Sequence, residues 1–475
     1  MAGTLIVSNL TTDTDNTFIV RSNTGTTLFS ANTTGIDVAN SLPNSGVTAG
    51  TYGSSSNISV VTVNAKGLVT SISNVSLPQI IKPSITAPAN NATGVQDSQL
   101  ITASPYLSLY GRSQANAEWQ LSTSSSFAFI NVSNTVSGSN TEFQLNTASG
   151  LVTNTVYYAR VRYSDNANTS SEYSDTVNFT TATTFTFPVN FLVLAGGGGG
   201  SANRGAGGGG AGGYRASLGT SGGPSSAESA INIVRSTNYT VTVGGGGAGA
   251  STPAPAGGAN GSPSIFATVT SLGGGTGGSN INTFSLPGPY SGASGGSGGG
   301  GGAGTSIGGF GGNGTPGQGN TGGTSTASSS NAEGGAGGGG AGAAGTPNST
   351  PNSGTTGGAG ISSSTSFGPA VTRGGGGGGG GWSGGAPGGS GGGVTGQAGS
   401  ANPSSPGTVN TGGGGGGGGG QPASGGSGGS GIVLLQYPST ATLSNPGGGL
   451  TYSTAPVSGN TVATFTAGTG SVSWS

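Results

Sequence analysis

Glycine is the feature that most constrains what this chain can fold into. The sequence has 109 glycines among 475 residues, and most of them lie in tracts between residues 196 and 431. Glycine loses more conformational entropy on ordering than any other residue, so a flexible tether is the default expectation for such tracts. An ordered fold requires main-chain hydrogen bonds to offset that loss, because glycine has no side chain to pack.

Three features of the sequence favour order in this region. Strongly apolar strands bracket it at Phe187–Ala195 and Gly431–Tyr437, and Asn238–Val243 alternates polar and apolar residues inside it. After Arg235 only two charged residues follow, which is unusual for a solvated coil. The alternatives of an ordered domain and a floppy tether both remain open at this point.

An ordered form is available to glycine in the extended left-handed helix with three residues per turn. This helix has no internal hydrogen bonds, so its N–H and C=O groups point outwards, and only glycine is small enough to let such helices approach on all sides. We therefore predict helices that bond to each other laterally, joined by loops at their ends. The tracts predicted to form them are 196–200, 207–213, 334–340, 374–381 and 412–420.

The composition excludes several classes of function. Without His or Cys the chain has no imidazole or thiolate to act as nucleophile, metal ligand or disulfide, so we expect no metal and no cofactor. Ten basic and eleven acidic residues give a net charge of −1, and nucleic-acid binding requires clustered basic residues. No apolar run approaches the roughly 20 residues of a membrane helix, so we expect no membrane insertion.

Outside the glycine region the patterns are those of β-strands. In residues 1–80, Asn23–Gly25 and Asn64–Gly67 each separate two short strands, which predicts two hairpins. A lone hairpin is marginal in water, which favours three copies packed together over a small monomeric β domain. In residues 438–475, Ala467–Gly470 predicts a hairpin turn, and we expect this hairpin to pack on the Phe187–Ala195 and Gly431–Tyr437 strands with Trp474 in the core.

Residues 83–182 read as a β-sandwich. Strands are predicted at 117–122, 142–145, 156–163 and 176–180, and in the third of these one face is apolar and the other polar. The segment resembles a fibronectin type III domain through Trp119 and the pattern Leu151-x-x-x-Thr155-x-Tyr157-x-x-x-Val161. The resemblance implies that Tyr157 bonds to nearby backbone and that Trp119 is core. Thr153 departs from the family pattern, which usually has Pro there.

Two further stretches resemble parts of bacteriophage fibres. Residues 46–73 are similar to a shaft element of phage tail fibres, a family in which three chains pack around an axis. The ordered series FLVLAGGGGG at 191–200, GGGGAGGYR at 207–215, YTVTVGG at 239–245 and GGSGIVLLQY at 428–437 resembles the glycine-rich domain of phage receptor-binding proteins. The resemblance implies an elongated, trimeric fibre whose glycine domain displays receptor-binding loops.

Together these observations predict an all-β multidomain fibre without significant α-helix. Its parts are an attachment and trimerisation segment (1–80), a fibronectin type III-like domain (83–182), a glycine-rich domain (185–437) and a closing C-terminal hairpin (438–475). The expected function is a non-enzymatic virion protein that mediates host adsorption. The alternative is a capsid fibre or decoration protein with a mainly structural role.

The N-terminus MAGTLIVSNLTT has no basic segment followed by an apolar one. We therefore expect no secretion signal. A protein that is not secreted but has the composition of an exposed adhesive protein suggests a virion assembled in the host cytoplasm. The expected partners are other virion proteins at the N-terminal end, two further copies of the chain, and a host glycan or outer-membrane protein.

The candidate receptor contacts are the bulky residues in glycine-poor interruptions of the glycine region. An almost uncharged surface has to recognise its ligand through backbone, hydroxyl and amide groups and aromatic faces. For each candidate the alternative is packing over neighbouring glycine helices. The candidates are Phe284, Tyr290, Phe310, Phe367 and Trp382.

Catalysis by paired carboxylates is the enzymatic alternative. The nearest acidic pairs are Asp13 with Asp15 and Glu172 with Asp175, all in predicted turns or strand edges, where a solvated surface is the ordinary explanation. Within the glycine region Glu228 and Glu333 are isolated from other acids. We therefore expect no enzymatic activity and no catalytic residue.

Overall fold

The computed structural model of this protein is nearly all β. A single-turn 3₁₀ helix lies at Thr365–Phe367, and no described residue lies in an α-helix, which confirms the predicted fold class. The described residues are 18–21, 24, 27–32, 35–37, 47–54, 57–65, 67–76, 79–146, 149–252, 257–279, 290–303, 308–326, 334–400 and 404–475.

The N-terminal part contains both predicted hairpins. Strands β1 (Phe18–Arg21), β2 (Thr27–Asn32) and β3 (Gly35–Asp37) form one antiparallel sheet. Strands β4 (Asn57–Val63) and β5 (Val69–Ser76) pair only with each other among the described strands. This second hairpin has five apolar side chains that are 46% to 55% exposed: Ile58, Val60, Val61, Val63 and Val75. A two-stranded sheet with so little burial is marginal on its own.

The next part consists of two sheets around one core. Its strands are β6 (Ile85–Ala87), β7 (Ala92–Val95), β8 (Leu100–Ala103), β9 (Gln114–Ser122), β10 (Val132–Ser137), β11 (Glu142–Gln144), β12 (Val156–Asp165) and β13 (Val177–Thr181). One sheet has the order β10-β9-β12-β13-β7 and the other β11-β8-β6. Ile101 and Phe143 of the smaller sheet pack with Trp119, Tyr157 and other buried residues of the larger one.

Both residue-level expectations for this sandwich are confirmed. Trp119 is fully buried. The Tyr157 hydroxyl accepts a hydrogen bond from the backbone N–H of Val152, five residues upstream, at 3.1 Å. The predicted strands at 117–122, 142–145, 156–163 and 176–180 coincide with β9, β11, β12 and β13 within a few residues. Local alternation was therefore a sufficient signal in this part of the chain.

The remaining strands form one large, nearly closed sheet and two small pairs. They are β14 (Thr186–Leu194), β15 (Tyr214–Ala216), β16 (Thr220–Ser221), β17 (Ser225–Ser226), β18 (Ile231–Val234), β19 (Tyr239–Thr242), β20 (Ser264–Phe266), β21 (Val269–Ser271), β22 (Ile361–Ser362), β23 (Thr372–Arg373), β24 (Ile432–Pro438), β25 (Leu443–Ser444), β26 (Leu450–Val457) and β27 (Asn460–Trp474). The main path is β15-β14-β24-β27-β19-β20-β21, and the two small pairs are β16–β17 and β22–β23. The far edge returns to β14, because the Ser264 and Ser271 hydroxyls donate to the carbonyls of Leu194 and Val193.

The core of this sheet is aromatic. Trp474 is buried and its ring makes edge contacts with Phe187, Phe266 and Tyr437, which confirms that it is a core residue. Phe191, Val433 and Phe465 belong to the same cluster. The C-terminal strand therefore packs on the two apolar strands that bracket the glycine region, as predicted.

The predicted turn at Ala467–Gly470 is wrong. The chain continues through it as the single strand β27, and the hairpin turn lies earlier, at Ser458–Gly459, where both residues have positive φ. Gly468 has φ +100° and lets β27 change partners, from β24 before this point to β19 after it. Glycine in a strand often marks such a corner, and the sequence pattern alone did not distinguish a corner from a turn.

Candidate functional site: the apical end of the glycine runs

The glycine tracts run back and forth between two ends. One end is attached to the large sheet: runs leave it after β14, β19 and β21 and re-enter it at β15, β20 and β24. At the opposite end the chain reverses, for example at Ala202–Gly205, where Asn203 and Gly205 have positive φ. We call this opposite end the apical end.

Each run is held by main-chain hydrogen bonds to several neighbours. Along Gly207–Gly213 seven consecutive amides donate to carbonyls of three different runs, with a repeat of three residues. The amides of 207, 210 and 213 donate to a first run, at Gly278, Gly275 and Leu272. The amides of 208 and 211 donate to a second run, at Ala336 and Gly339. The amides of 209 and 212 donate to a third run, at Gly415 and Gly412. The prediction of laterally bonded tracts is thus confirmed. The left-handed helical conformation has the same three-residue repeat and stays a prediction.

At many positions inside this lattice the packing leaves no room for a side chain, and the few that fit, such as Ala211 and Ala336, are small. A Cβ built on Gly209 would lie 2.1 Å from the carbonyl oxygen of Gly198, and one on Gly377 would lie 2.0 Å from that of Gly415. Such distances are far below van der Waals contact, so these positions accept only glycine. Side chains that recognise a ligand therefore have to lie at the ends of the runs or on their outer flanks.

The predicted contact residue Trp382 lies at the apical end. It directly follows the run 374–381, and 49% of its surface is exposed. The next residue, Ser383, is held by Asn352 of a neighbouring apical turn, because its N–H and hydroxyl both donate to the Asn352 carbonyl. The indole is therefore carried on a turn that is hydrogen-bonded to a neighbouring turn.

Tyr290 and Phe310 lie near the same end on adjacent runs. The carbonyl of Tyr290 accepts from Gly302, and the carbonyl of Phe310 accepts from Gly292. Tyr290 is half-buried, whereas Phe310 is 72% exposed and points away from the lattice. Three of the five predicted contact residues are thus gathered at or near one end of the domain.

The other two predicted contact residues do not join this group. Phe367 is only 8% exposed and packs with Leu192, Leu194 and Tyr214 against the large sheet. Its segment lies at the opposite end, where the Gln436 amide donates to the Ser366 carbonyl at 2.7 Å. A ligand would not reach the Phe367 ring, so this candidate is corrected to a core residue. Phe284 lies outside the described residues.

Arg204 is an apical residue that the sequence reasoning missed. Its guanidinium lies over the Trp382 ring, 5.3 Å from the centroid. The turn that carries it is central, because Gly205 accepts from Ala303 of one run while Ala206 donates to Gly418 and accepts from Gly380 of two others. The signal available in the sequence was a single charged residue, Arg204, in an uncharged tract.

The acidic residues do not form a catalytic arrangement in the described part of the chain. Asp175 forms an ion pair with Lys82 and is 94% exposed, and Glu172 is exposed. Asp13 and Asp15 lie outside the described residues, as does Glu333. Glu228 forms an ion pair with Arg215 at the end of the domain that is attached to the large sheet. The pair lines a cavity of about 370 Å³, together with Ser221, Ser225 and Gln318.

Two negative findings hold for the described residues. No His, Cys, Asp or Glu side chains lie in groups of three that could bind a metal ion. No helix there has both the length and the hydropathy needed to cross a bilayer.

Comparison with known proteins identifies the glycine region. A family model described as a glycine-rich domain matches residues 171–438, which is more than half of the chain. The chain belongs to the glycine-rich domain family. The match covers β13, the whole set of glycine runs and β24, so the lattice and its two bracketing strands together form the family's domain.

Nothing more specific comes from the other comparisons. No curated protein and no solved structure matches the chain. The family assignment therefore covers the glycine-rich domain alone.

Proposed function

We propose that this chain is a non-enzymatic virion fibre protein of a bacteriophage that recognises the host surface through the apical end of its glycine-rich domain. The observation that supports this most is the placement of exposed aromatic side chains on turns of a backbone lattice. Loops held by a rigid scaffold are where binding residues concentrate. Aromatic residues are also the ones enriched in binding hot spots.

The rest of the chain supplies the fibre in this proposal. Residues 1–80 attach it to other virion proteins and hold three copies together through the exposed apolar hairpin β4–β5. Residues 83–182, which we take to be a fibronectin type III-like domain, act as a spacer. The protein is exposed on the particle, and its ligand is a glycan or an outer-membrane protein of the host.

Adsorption of the labelled full-length protein to a panel of bacterial strains tests the binding role. We expect Trp382→Ala with Phe310→Ala to reduce adsorption to a binding strain at least tenfold, since a hot-spot aromatic contributes about 2 kcal/mol. The matched control is Phe129→Ala, because Phe129 is an exposed aromatic residue (80%) in the sandwich of residues 83–182. This variant should bind like the unmodified protein. Unchanged adsorption of the double variant would contradict the apical site.

The location in the virion needs a separate experiment. Immunogold labelling of purified particles with antibodies against residues 83–182 should place gold on the tail. Gold on the capsid would favour the structural alternative, a head fibre or decoration protein.

A further inference from the structure

Arg204 is an arginine without an acceptor among the described residues, in a domain that has almost no charge. From residue 79 onwards, the other described arginines bond to acceptors: Arg112, Arg162, Arg215 and Arg235 in ion pairs, Arg160 to Gln120, and Arg373 to Ser363. Arg204 has no ion pair or hydrogen bond with any described residue, and its Nε is buried without an acceptor.

This arrangement is unfavourable unless something completes it. A guanidinium has five N–H donors and stays protonated at all physiological pH values. Partial burial removes water from it, and a buried charged donor without an acceptor is more costly than a neutral one. The turn that carries Arg204 is closely packed, because Ala202, Asn203 and Ala206 are buried. An oxyanion supplied by a ligand would satisfy these donors.

Trp382 indicates what else the ligand carries. Arg204 lies over the ring, yet half of the Trp382 surface remains exposed, so the guanidinium does not cover the indole completely. Guanidinium groups bind carboxylate and phosphate through paired N–H donors. An indole suits a ligand that is apolar on one side and polar on the other. A sugar ring with an acidic substituent has both parts.

We propose that Arg204 and Trp382 form a binding site for an acidic sugar, in which Arg204 binds the carboxylate or phosphate and Trp382 packs against the ring. The inference rests on the proposed adhesive function and names its ligand class. The two possible oxyanions share the same recognition chemistry, so the experiment includes both.

Three ligands with one ring test the site directly: glucuronate, glucose 6-phosphate and glucose. Each ligand is titrated into the full-length protein, and saturation-transfer NMR measures its binding. We expect the affinity for at least one of the two acids to be at least tenfold higher than the affinity for glucose. Preference for glucuronate would assign a carboxylate ligand, and preference for glucose 6-phosphate a phosphate ligand. Equal affinity for all three, or no detectable binding of any, overturns the proposal without requiring a variant.

Two variants then assign the effect to these residues. Arg204→Gln should lower the affinity for the acid to that for glucose, while Trp382→Ala should weaken binding of all three ligands. Arg160→Gln is the matched control, because Arg160 also stacks on aromatic rings, 4.1 Å from the centroids of Phe127 and Tyr173, but lies on the other sandwich. An Arg204→Gln protein that still prefers the acid would refute the role of Arg204.

Cell adsorption separates this proposal from the proposed function. If Arg204→Gln loses acid binding but the unmodified protein adsorbs to no strain, the site stands and the adhesive role fails. If the unmodified protein adsorbs and Arg204→Gln adsorbs equally well, the adhesive role stands and the acidic sugar is not its ligand.

Discussion

At the scale of single residues, glycine acts here as a packing residue. In a turn, glycine is chosen for its positive φ, whereas in the lattice it is chosen because a carbonyl oxygen occupies the space of its missing side chain. The two neighbours Gly245 and Gly246 separate these reasons. A Cβ on Gly246 would lie 2.0 Å from the Gly428 oxygen, whereas a Cβ on Gly245 would meet nothing within 4 Å.

This pair gives a matched test of the lattice. We expect Gly246→Ala to lower the free energy of unfolding by about 3 kcal/mol, at the upper end for an overpacked site, because the blocking atom is backbone and cannot swing away as a side chain can. Gly245→Ala should be neutral or stabilising by up to about 1 kcal/mol, since it reduces the entropy of the unfolded chain. Urea unfolding of both full-length variants measures the difference, and equal effects would contradict close packing at Gly246.

Tyr163 makes the stability of the first sandwich sensitive to alkali. Burial raises the pKa of its hydroxyl to about 12, whereas a tyrosine in an unfolded chain has a pKa of about 10. The folded state therefore keeps its proton where the unfolded state loses it. The stabilising contribution is complete below about pH 10 and is lost as the pH rises towards 12.

The expected result is a free energy of unfolding that falls above about pH 10. Tyr163→Phe should be less stable at pH 8, because the Ser104 carbonyl loses a donor now at 2.6 Å, but its stability should depend less on pH. Urea unfolding at pH 8 to 11, followed by the fluorescence of buried Trp119, tests this. Parallel pH profiles for the two proteins would show that another group is responsible.

At the scale of elements, the alternation of polar and apolar residues predicted the strands but did not predict where a strand turns a corner. The strands of the first sandwich and the apolar brackets β14 and β24 were predicted within a few residues, because each has one buried face that its sequence shows directly. The β27 corner was missed, because Gly468 acts through a change of strand partners and not through local preference. Register with distant strands is not encoded in a local pattern.

The candidate site divides in the same way. Trp382 was predicted because a bulky residue after a glycine tract has to lie at the end of a run. Phe367 was predicted by the same reasoning and proved to be core, since its interruption lies at the strand end and not the apical end. The sequence gives no direct indication of which end a run reaches, because that depends on counting every reversal of the chain. Arg204 was missed because its partner Trp382 is distant in sequence.

Amide exchange tests the glycine runs as elements. All seven amides of residues 207–213 donate to carbonyls of buried runs, so they should exchange only when the lattice opens. We expect peptides covering 196–213 to exchange as slowly as those covering β14, which is buried in the large sheet. The exposed loop around Phe129, which is 80% exposed, provides an internal reference for fast exchange. If residues 196–213 exchanged at the rates of a free peptide, the lattice would be wrong and this region would be a flexible tether.

At the scale of the whole molecule, we expect the hairpin β4–β5 to pack against a partner. Its two faces are both apolar, since Ile58 pairs with Val75 on one face and Val61 with Ile72 on the other. A sheet with one apolar face can be covered by its own chain, but no described strand outside the hairpin pairs with it. Two apolar faces on a thin element suit a position between copies of the same chain, and three copies around an axis would cover both faces of each hairpin.

Light scattering on the full-length protein tests this assembly. We expect a solution mass of three copies of the 44.3 kDa chain. Val60→Asp with Val61→Asp should reduce it to one copy, because each face would then bury an unpaired carboxylate, which is costly. Val152→Asp is the control, since Val152 is an exposed valine (60%) outside the hairpin, and it should leave the mass unchanged. A single-copy mass for the unmodified protein, or a double variant that keeps three copies, would show that these faces do not join the chains.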